Sequence, residues 1–413
     1  MRRRVQNENP EVTERTTRDS RLAMLGELGK KSNAFRPARE VLRRVRAVRT
    51  IFPQYDHATR VNGHPIERVT TVHGPSSHGK TTFTLGLGLS FLMRDHFFKL
   101  IDAERTTPMS WIEELFGPYS THPGFIASRP RTYEEAVAEQ REFCNMIGEA
   151  KVKGKLPPDT TALTVVDSVR KLVPKGFFEK VTKVIAEDDA KKKGTRVNPK
   201  TVGVDGFGGR GAQIKAALNA AWLDELVPLL EDTGTALAFI TRETDDPDAD
   251  VWDKRTGEDF KIGGGRAIVY DSSLLIRIER ASFIRKGVAK DASDEEKRTA
   301  PTYGERHRFT IRKTKIAGKR TKFVVGYFHT SNGTLTQTGF DRTRDVLELA
   351  ENFEIVSKAG GWIQWKKRRW QGLDNAVKRI TEDPDLLAEL ESAVRDQFDS
   401  INPEEHDEDG VVD

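Results

Sequence analysis

Between residues 68 and 280, short apolar runs alternate with segments of helical period. "RVTTVHG", "FFKLIDAE", "GFIASRP", "TALTVVDS", "TALAFITR" and "SSLLIRIE" predict strands, and 80–94, 108–116, 133–150 and 210–230 carry helix-spaced apolar positions. Near-continuous apolar strands separated by helices imply an α/β class with a mostly parallel, twisted sheet covered on both faces. The segment "KTTFTLGLGLSFLMR" is apolar nearly all round and belongs against that sheet. Its Gly86 and Gly88 each cost about 1 kcal/mol relative to Ala, which marks close packing. After 305, "RHRFTIRKTKI" and "TKFVVGYFH" alternate like antiparallel strands that extend the sheet. Helical patterns follow at 341–358, 371–381 and 384–399, with a short aromatic segment "GGWIQWKKRRWQG" among them. Two long connections, 174–209 and 243–265, interrupt the scheme, and structureless connections of that length in a compact domain are usually functional or disordered. There is no internal repeat.

The first strand runs into "GPSSHGKT", a G-x-x-x-x-G-K-[ST] pattern over Gly74, Pro75, Ser76, Ser77, His78, Gly79, Lys80 and Thr81, followed by Thr82 and a helix. Backbone N–H groups of such a loop and of the helix N-terminus surround phosphates. Lys80 supplies a point charge to the β/γ-phosphates and the Thr81 hydroxyl a ligand to Mg²⁺. Asp167, closing the apolar run "ALTVVDS", is placed to join the metal shell from a strand end. "KLIDAERT" ends the neighbouring strand with Asp102 and Glu104 on one face, and Glu104, closer to the open edge, is placed to orient an attacking water. His78 is expected to line the loop as an exposed filler with no catalytic role.

Composition adds partners and compartment. The formal net charge is only +5, but residues 1–49 hold 14 Lys/Arg against 6 Asp/Glu, and 400–413 hold 6 acids and no Lys or Arg. A basic front suits a polyanion, and the acidic tail would compete with it. The single cysteine, Cys144, lies in a helical pattern and is expected to be a buried small hydrophobe, so no disulfide framework or multi-Cys metal site exists. No apolar run approaches membrane-spanning length and "MRRRVQNENP" is not a secretory signal, so a cytoplasmic location without membrane contact is expected.

"GPSSHGKTTFTLGL", "LIDAE", "VVDSVRKLVPK", "GGGRAIVYDSSLLIRIER", "IRKTKIAG" and "IVSKAGGWIQWKKRRWQG" occur in the order found in the bacterial RecA family of homologous-recombination ATPases, and the chain resembles a divergent, phage-encoded or lineage-specific relative over roughly 45–400. The resemblance implies a RecA-like P-loop ATPase core and a DNA-dependent ATPase using ATP and Mg²⁺. Such a protein forms open helical filaments of itself on single-stranded DNA and pairs that strand with homologous duplex. Its parts would be a basic N-terminal helical polymerisation segment at 1–50, the core at 51–335, a small α+β DNA-capture domain at 336–400 and an acidic tail at 401–413. Rivals are a filament-forming DNA scaffold with weak or no hydrolysis, and a helicase motor on the same core.

Position by position, Lys80 and Thr81 match the family's phosphate and metal residues, Asp167 its metal carboxylate and Glu104 its catalytic glutamate. Trp111 stands where the family places a tyrosine against adenine, and a Trp face can stack equally. Lys313 and Lys315 match paired lysines that reach the γ-phosphate of an adjacent subunit. Arg242 replaces a glutamine that senses the γ-phosphate. The two long connections correspond to DNA-binding loops. In the first, Lys191, Lys192, Lys193 and Arg196 suit phosphate contact, with Arg210 beside flexible glycines. In the second, seven acids in 245–259 leave contact to the later part, Lys261, Gly263, Gly264, Gly265 and Arg266. In the C-terminal portion, Lys366, Lys367, Arg368 and Arg369 interleave with Trp362, Trp365 and Trp370, a surface suited to duplex capture.

Overall fold

The computed structural model describes residues 44–176, 208–256, 259–285, 292–316, 321–329, 339–401 and 411–412, together with Ser20, Ala23, Met24, Gly26 and Glu27. Most of the proposed polymerisation segment, the stretch holding Lys191, Lys192, Lys193 and Arg196, and most of the acidic tail lie outside these residues.

The strands, in chain order, are β1 (Ala47–Val48), β2 (His64–Pro65), β3 (Val69–His73), β4 (Phe97–Asp102), β5 (Phe125–Ser128), β6 (Ala162–Asp167), β7 (Ala236–Ile240), β8 (Glu243–Asp245), β9 (Phe260–Ile262), β10 (Leu274–Arg285), β11 (Thr302–Thr314), β12 (Lys322–Phe328), β13 (Gly339–Phe340), β14 (Ser357–Ala359), β15 (Trp362–Trp365), β16 (Arg368–Gln371) and β17 (Val411–Val412). Nine of them form one sheet in the order β13-β12-β11-β10-β3-β7-β6-β4-β5. From β10 to β5 the neighbours pair in parallel, and β11, β12 and β13 continue antiparallel. The expected α/β class with a mostly parallel sheet therefore holds. Each face carries its own core. On one side the helix Lys80–Leu92 packs with Phe52, Tyr55, Phe98 and Phe309. On the other, Tyr133–Val152 and Gly208–Thr233 contribute Tyr133, Cys144 and Trp222. Cys144 is indeed fully buried.

The glycines in Lys80–Leu92 are required by packing. A Cβ at Gly88 would stand 2.5 Å from the Phe98 ring. Gly88→Ala gains helix propensity but must displace that ring, and overpacking costs about 1–3 kcal/mol. A lower urea midpoint at unchanged m-value is expected. An unchanged or higher midpoint would show that the ring yields freely.

His64 gives the fold an acid-sensitive point. It is fully buried, with Nδ1 2.8 Å from the Tyr55 hydroxyl, and burial pushes its pKa down to about 3. The unfolded chain binds this proton near pH 6.5, whereas the folded chain refuses it until about pH 3. The stability contributed by neutral His64 is thus complete above 6.5 and is lost as the pH falls toward 3. Wild type should lose about 2 kcal/mol relative to His64→Gln between pH 7 and pH 5, read from urea titrations of both. Parallel stability–pH curves would refute the assignment.

Two expectations need correction, the extent of the helix at 341–358 and the connection 243–265. The helical pattern at 341–358 gives a helix only over Arg342–Asn352, and 357–359 is strand β14. The aromatic segment is a hairpin, β15–β16, that completes a small sheet with β14. Its core of Val346, Leu349, Ile363, Trp365, Ile380 and Leu390 is separate from the two others. The connection 243–265 is not structureless: β8 and β9 pair antiparallel, with a helical turn Val251–Thr256 at the tip. The C-terminal portion docks on the helix Pro53–Thr59, where Gln54 Nε2 donates to Asp345 O at 3.3 Å and His57 meets Phe353 and Phe398 edge-on.

Candidate active site

The carboxyl ends of β3, β6 and β4 open into a cleft of about 500 Å³. The loop after β3 forms its floor. Gly79 (φ 82°) caps the helix Lys80–Leu92 without any side-chain cap, so the helix N–H groups face the cleft. A Cβ at Gly79 would stand 2.8 Å from the ring of His307, so only glycine lets the loop lie against β11. Lys80 is buried, and its Nζ donates to Gly74 O (3.0 Å) and Pro75 O (2.6 Å). Burial, helped by nearby Arg242, lowers its pKa.

Thr81 Oγ1 donates to Asp167 Oδ2 at 2.6 Å. Burial raises the Asp167 carboxyl to about 6, with Glu104 and Asp102 adding to the rise and the Thr81 hydrogen bond opposing it. A hydroxyl and a carboxylate side by side at the end of a cationic loop fit a hard dication, which prefers oxygen ligands. An uncapped helix N-terminus beside a lysine fits a polyphosphate. Asp102 and Glu104, expected on one face, part company because β4 ends at Asp102. Asp102 is buried and turns to Arg129 (3.0 Å) and the Thr106 N–H (3.3 Å). Glu104 reaches the cleft, where Oε1 accepts from Ser168 Oγ at 2.9 Å.

Of the residues singled out from sequence, Ser76, Ser77, His78, Gly79, Lys80, Thr81, Thr82, Glu104, Trp111, Asp167 and Arg242 line this cleft. Gly74 and Pro75 take part through the carbonyls that hold Lys80. His78 is half-buried rather than an exposed filler, because its Nδ1 accepts the Arg280 N–H at 3.3 Å. Its pKa is lowered by burial and by the Arg280 charge, which leaves it neutral. Arg242 lines the cleft with its guanidinium paired with Glu104.

One wall was not foreseen. Arg280, Glu305, His307, Tyr327 and His329 come from β10 to β12 and the residue after it. Glu305 lies 2.9 Å from Arg280 Nε and 3.4 Å from His307 Nε2. His307 is held down to about 4, mainly by burial, and is neutral near pH 7. Trp111 Nε1 donates to the Tyr327 hydroxyl at 3.4 Å, giving the cleft an aromatic end able to take a planar base.

Lys313 and Lys315 do not enter the cleft of their own chain. Both Nζ atoms donate to Tyr270 O (2.6 Å), and Lys313 also to Val269 O, at the C-terminal end of the helix Arg266–Asp271. Lys261 is paired with Asp246 (2.7 Å) and Asp248 (3.3 Å). Gly264 and Gly265 take positive φ in the turn before the helix that the exposed Arg266 begins. Arg210 falls in the first turn of Gly208–Thr233, its side chain outside the described residues. In the C-terminal portion Trp365 is core, whereas Arg369 stacks on half-buried Trp362 at 4.3 Å. Lys366 pairs with Glu389 and Arg368 with Asp383, leaving Lys367 exposed between them. Among the described residues no helix is long and apolar enough to cross a membrane.

Residues 344–399 match the family model described as the RecA C-terminal domain. The chain is 26% identical over 347 residues to "Protein RecA" of Clostridium tetani, covering 83% of this chain and 80% of that protein. It is 25% identical over 356 residues to "Protein RecA" of Lactiplantibacillus pentosus, covering 86% and 77%. "Protein RecA" of Acholeplasma laidlawii is 25% identical over 344 residues, covering 83% and 85%.

Proposed function

This chain is a divergent RecA-type protein, and from that premise we propose that it is a DNA-dependent ATPase of recombination and repair. It polymerises on single-stranded DNA and pairs it with homologous duplex. The observation that carries the reading is the meeting of Lys80, Thr81, Asp167 and Glu104 in one cleft of a chain similar to RecA along most of its length.

In this reading the loop 74–82 and Lys80 hold the triphosphate of ATP, and Trp111 with Tyr327 takes the base. Thr81 and Asp167 hold Mg²⁺, which when bound neutralises phosphate charge. Glu104 orients the attacking water and accepts its proton. The cleft is open to solvent, and Lys313 and Lys315 lie outside it on the same chain. Their matching role is therefore exercised on the ATP of a neighbouring copy, in an open head-to-tail assembly. The residues 174–209 and 243–265 face single-stranded DNA, and the portion 336–400 captures duplex through Lys367, Arg369 and Trp362. ATP then favours the state of high DNA affinity, and hydrolysis releases it.

The test is ATP hydrolysis with and without single-stranded DNA, alongside a fluorescent strand-pairing assay and micrographs with ATP and DNA. Stimulated hydrolysis, pairing and open filaments are expected. Hydrolysis indifferent to DNA together with absent pairing would end the recombinase reading, and closed rings would favour a helicase motor.

A further inference from the structure

Glu104 is held from two directions. Its N–H donates to Asp167 O at 3.0 Å, which fixes the backbone at the end of β4. Its Oε1 accepts from Ser168 Oγ (2.9 Å) and from Arg242 Nη2 (3.0 Å), and its Oε2 accepts from the same Nη2 (3.1 Å). With both oxygens turned to one guanidinium nitrogen and one of them also to Ser168, the carboxylate is aimed at its protein partners rather than at a water in the cleft.

Arg242 is itself tied to the β8–β9 hairpin. It directly precedes β8, and its carbonyl accepts the Gly263 N–H at 3.0 Å across the base of the β8–β9 hairpin. Thr241 Oγ1 donates to Gly263 O at 2.8 Å on the same rung. The next residue, Glu243, takes two bonds from Arg277 (2.8 and 3.0 Å) and lies 2.8 Å from His73 Nδ1. Arg277 also covers the ring of Phe260 in β9 at 4.2 Å. The seated hairpin thus fixes where the Arg242 guanidinium points, and a shift of the hairpin base carries that guanidinium with it.

We propose that Arg242 is a positioning residue that latches Glu104 in an idle state while the 243–262 hairpin is seated, and that displacement of the hairpin by bound nucleic acid withdraws the guanidinium and frees the carboxylate. The proposal rests on the ATPase reading of the cleft and adds to it a brake built into this chain. Lys261, itself exposed on the hairpin and paired with half-buried Asp246 and exposed Asp248, gives a polyanion a handle on it: a phosphate can compete with these surface pairs at modest cost.

Two readouts decide it. In the nucleotide-free chain, hydrogen–deuterium exchange of the β8 and β9 amides should rise about tenfold in Glu104→Gln and in Arg242→Gln, the effect of losing one charge-assisted hydrogen bond. Without DNA, ATP hydrolysis should rise about tenfold in Arg242→Gln, with Arg242→Lys in between, so that the ratio of stimulated to basal rate falls. An arginine that merely supported the structure would lower the rate on removal. Unchanged exchange in both variants, or a basal rate in Arg242→Gln that is level or lower, overturns the latch. A wild type that hydrolyses ATP without responding to DNA would sink the proposed function instead, and the exchange measurement would still decide the latch by itself.

Discussion

Glu104→Gln should lower DNA-stimulated ATP hydrolysis about 10²–10⁴-fold while ATP binding stays close to wild type, the range expected when a positioned general base is lost. The substitution keeps the size of the side chain and an acceptor for Ser168 Oγ, which lies 2.9 Å from Oε1. It removes the charge and the basicity, and with the charge the ion pair to Arg242. Asp167, which shares the cleft, stays ionised more readily because the Glu104 charge contributes to its raised pKa. Phosphate release with saturating single-stranded DNA, paired with binding of a fluorescent ATP analogue, makes the comparison. A variant retaining more than a tenth of the rate would remove Glu104 from the chemistry and turn attention to Glu305, which lines the opposite wall of the cleft.

Lys80→Ala should have an equally large effect on a different quantity. The Lys80 ammonium is buried and rests on the carbonyls of Gly74 and Pro75, so its charge is held under the loop rather than dispersed in solvent. Low-dielectric surroundings strengthen its attraction for a phosphate, and losing such a preorganised donor costs roughly 2.7–4 kcal/mol. Alanine is a strong helix former at this first helical position, so the fold should persist. Saturating ATP should stabilise the wild type by about 2.7 kcal/mol at a hundredfold excess over Kd and leave the variant unmoved. A variant that melts as wild type without nucleotide and gains the same stabilisation with it would show that the loop amides suffice.

The parts of this site legible in the sequence were those set by local pattern. The loop 74–82 follows an apolar strand and precedes a helix, and its spacing is enough to place Lys80 and Thr81. Asp167 and Glu104 could be placed because each closes an apolar run, and parallel strands bring their ends together. The rest depended on which strands become neighbours. Glu305, His307 and Tyr327 alternate as strand residues, yet nothing near them in sequence says that β10 pairs with β3 and so brings β10 to β12 beside the loop. The Arg242–Glu104 pair spans 138 positions and is equally invisible to pattern. In the C-terminal portion the aromatic run hid a hairpin, because one of its tryptophans, Trp365, is core and another, Trp362, meets solvent. The helix there overran its true end because the apolar positions Ile355 and Val356 continue a helical spacing across the turn after Asn352.

Strand β11 carries one further implication. Glu305 and His307 border the cleft of their own chain, while Lys313, six residues beyond His307, points away from it. At about 3.4 Å per residue, some 20 Å of hydrogen-bonded strand separates the two ends. If Lys313 serves the ATP of the next copy, a single stiff rod touches two consecutive nucleotides. The stagger between successive ATP molecules along the assembly would then be gauged by strand length, and inserting two residues into β11 would change the rise per subunit instead of merely weakening the contact.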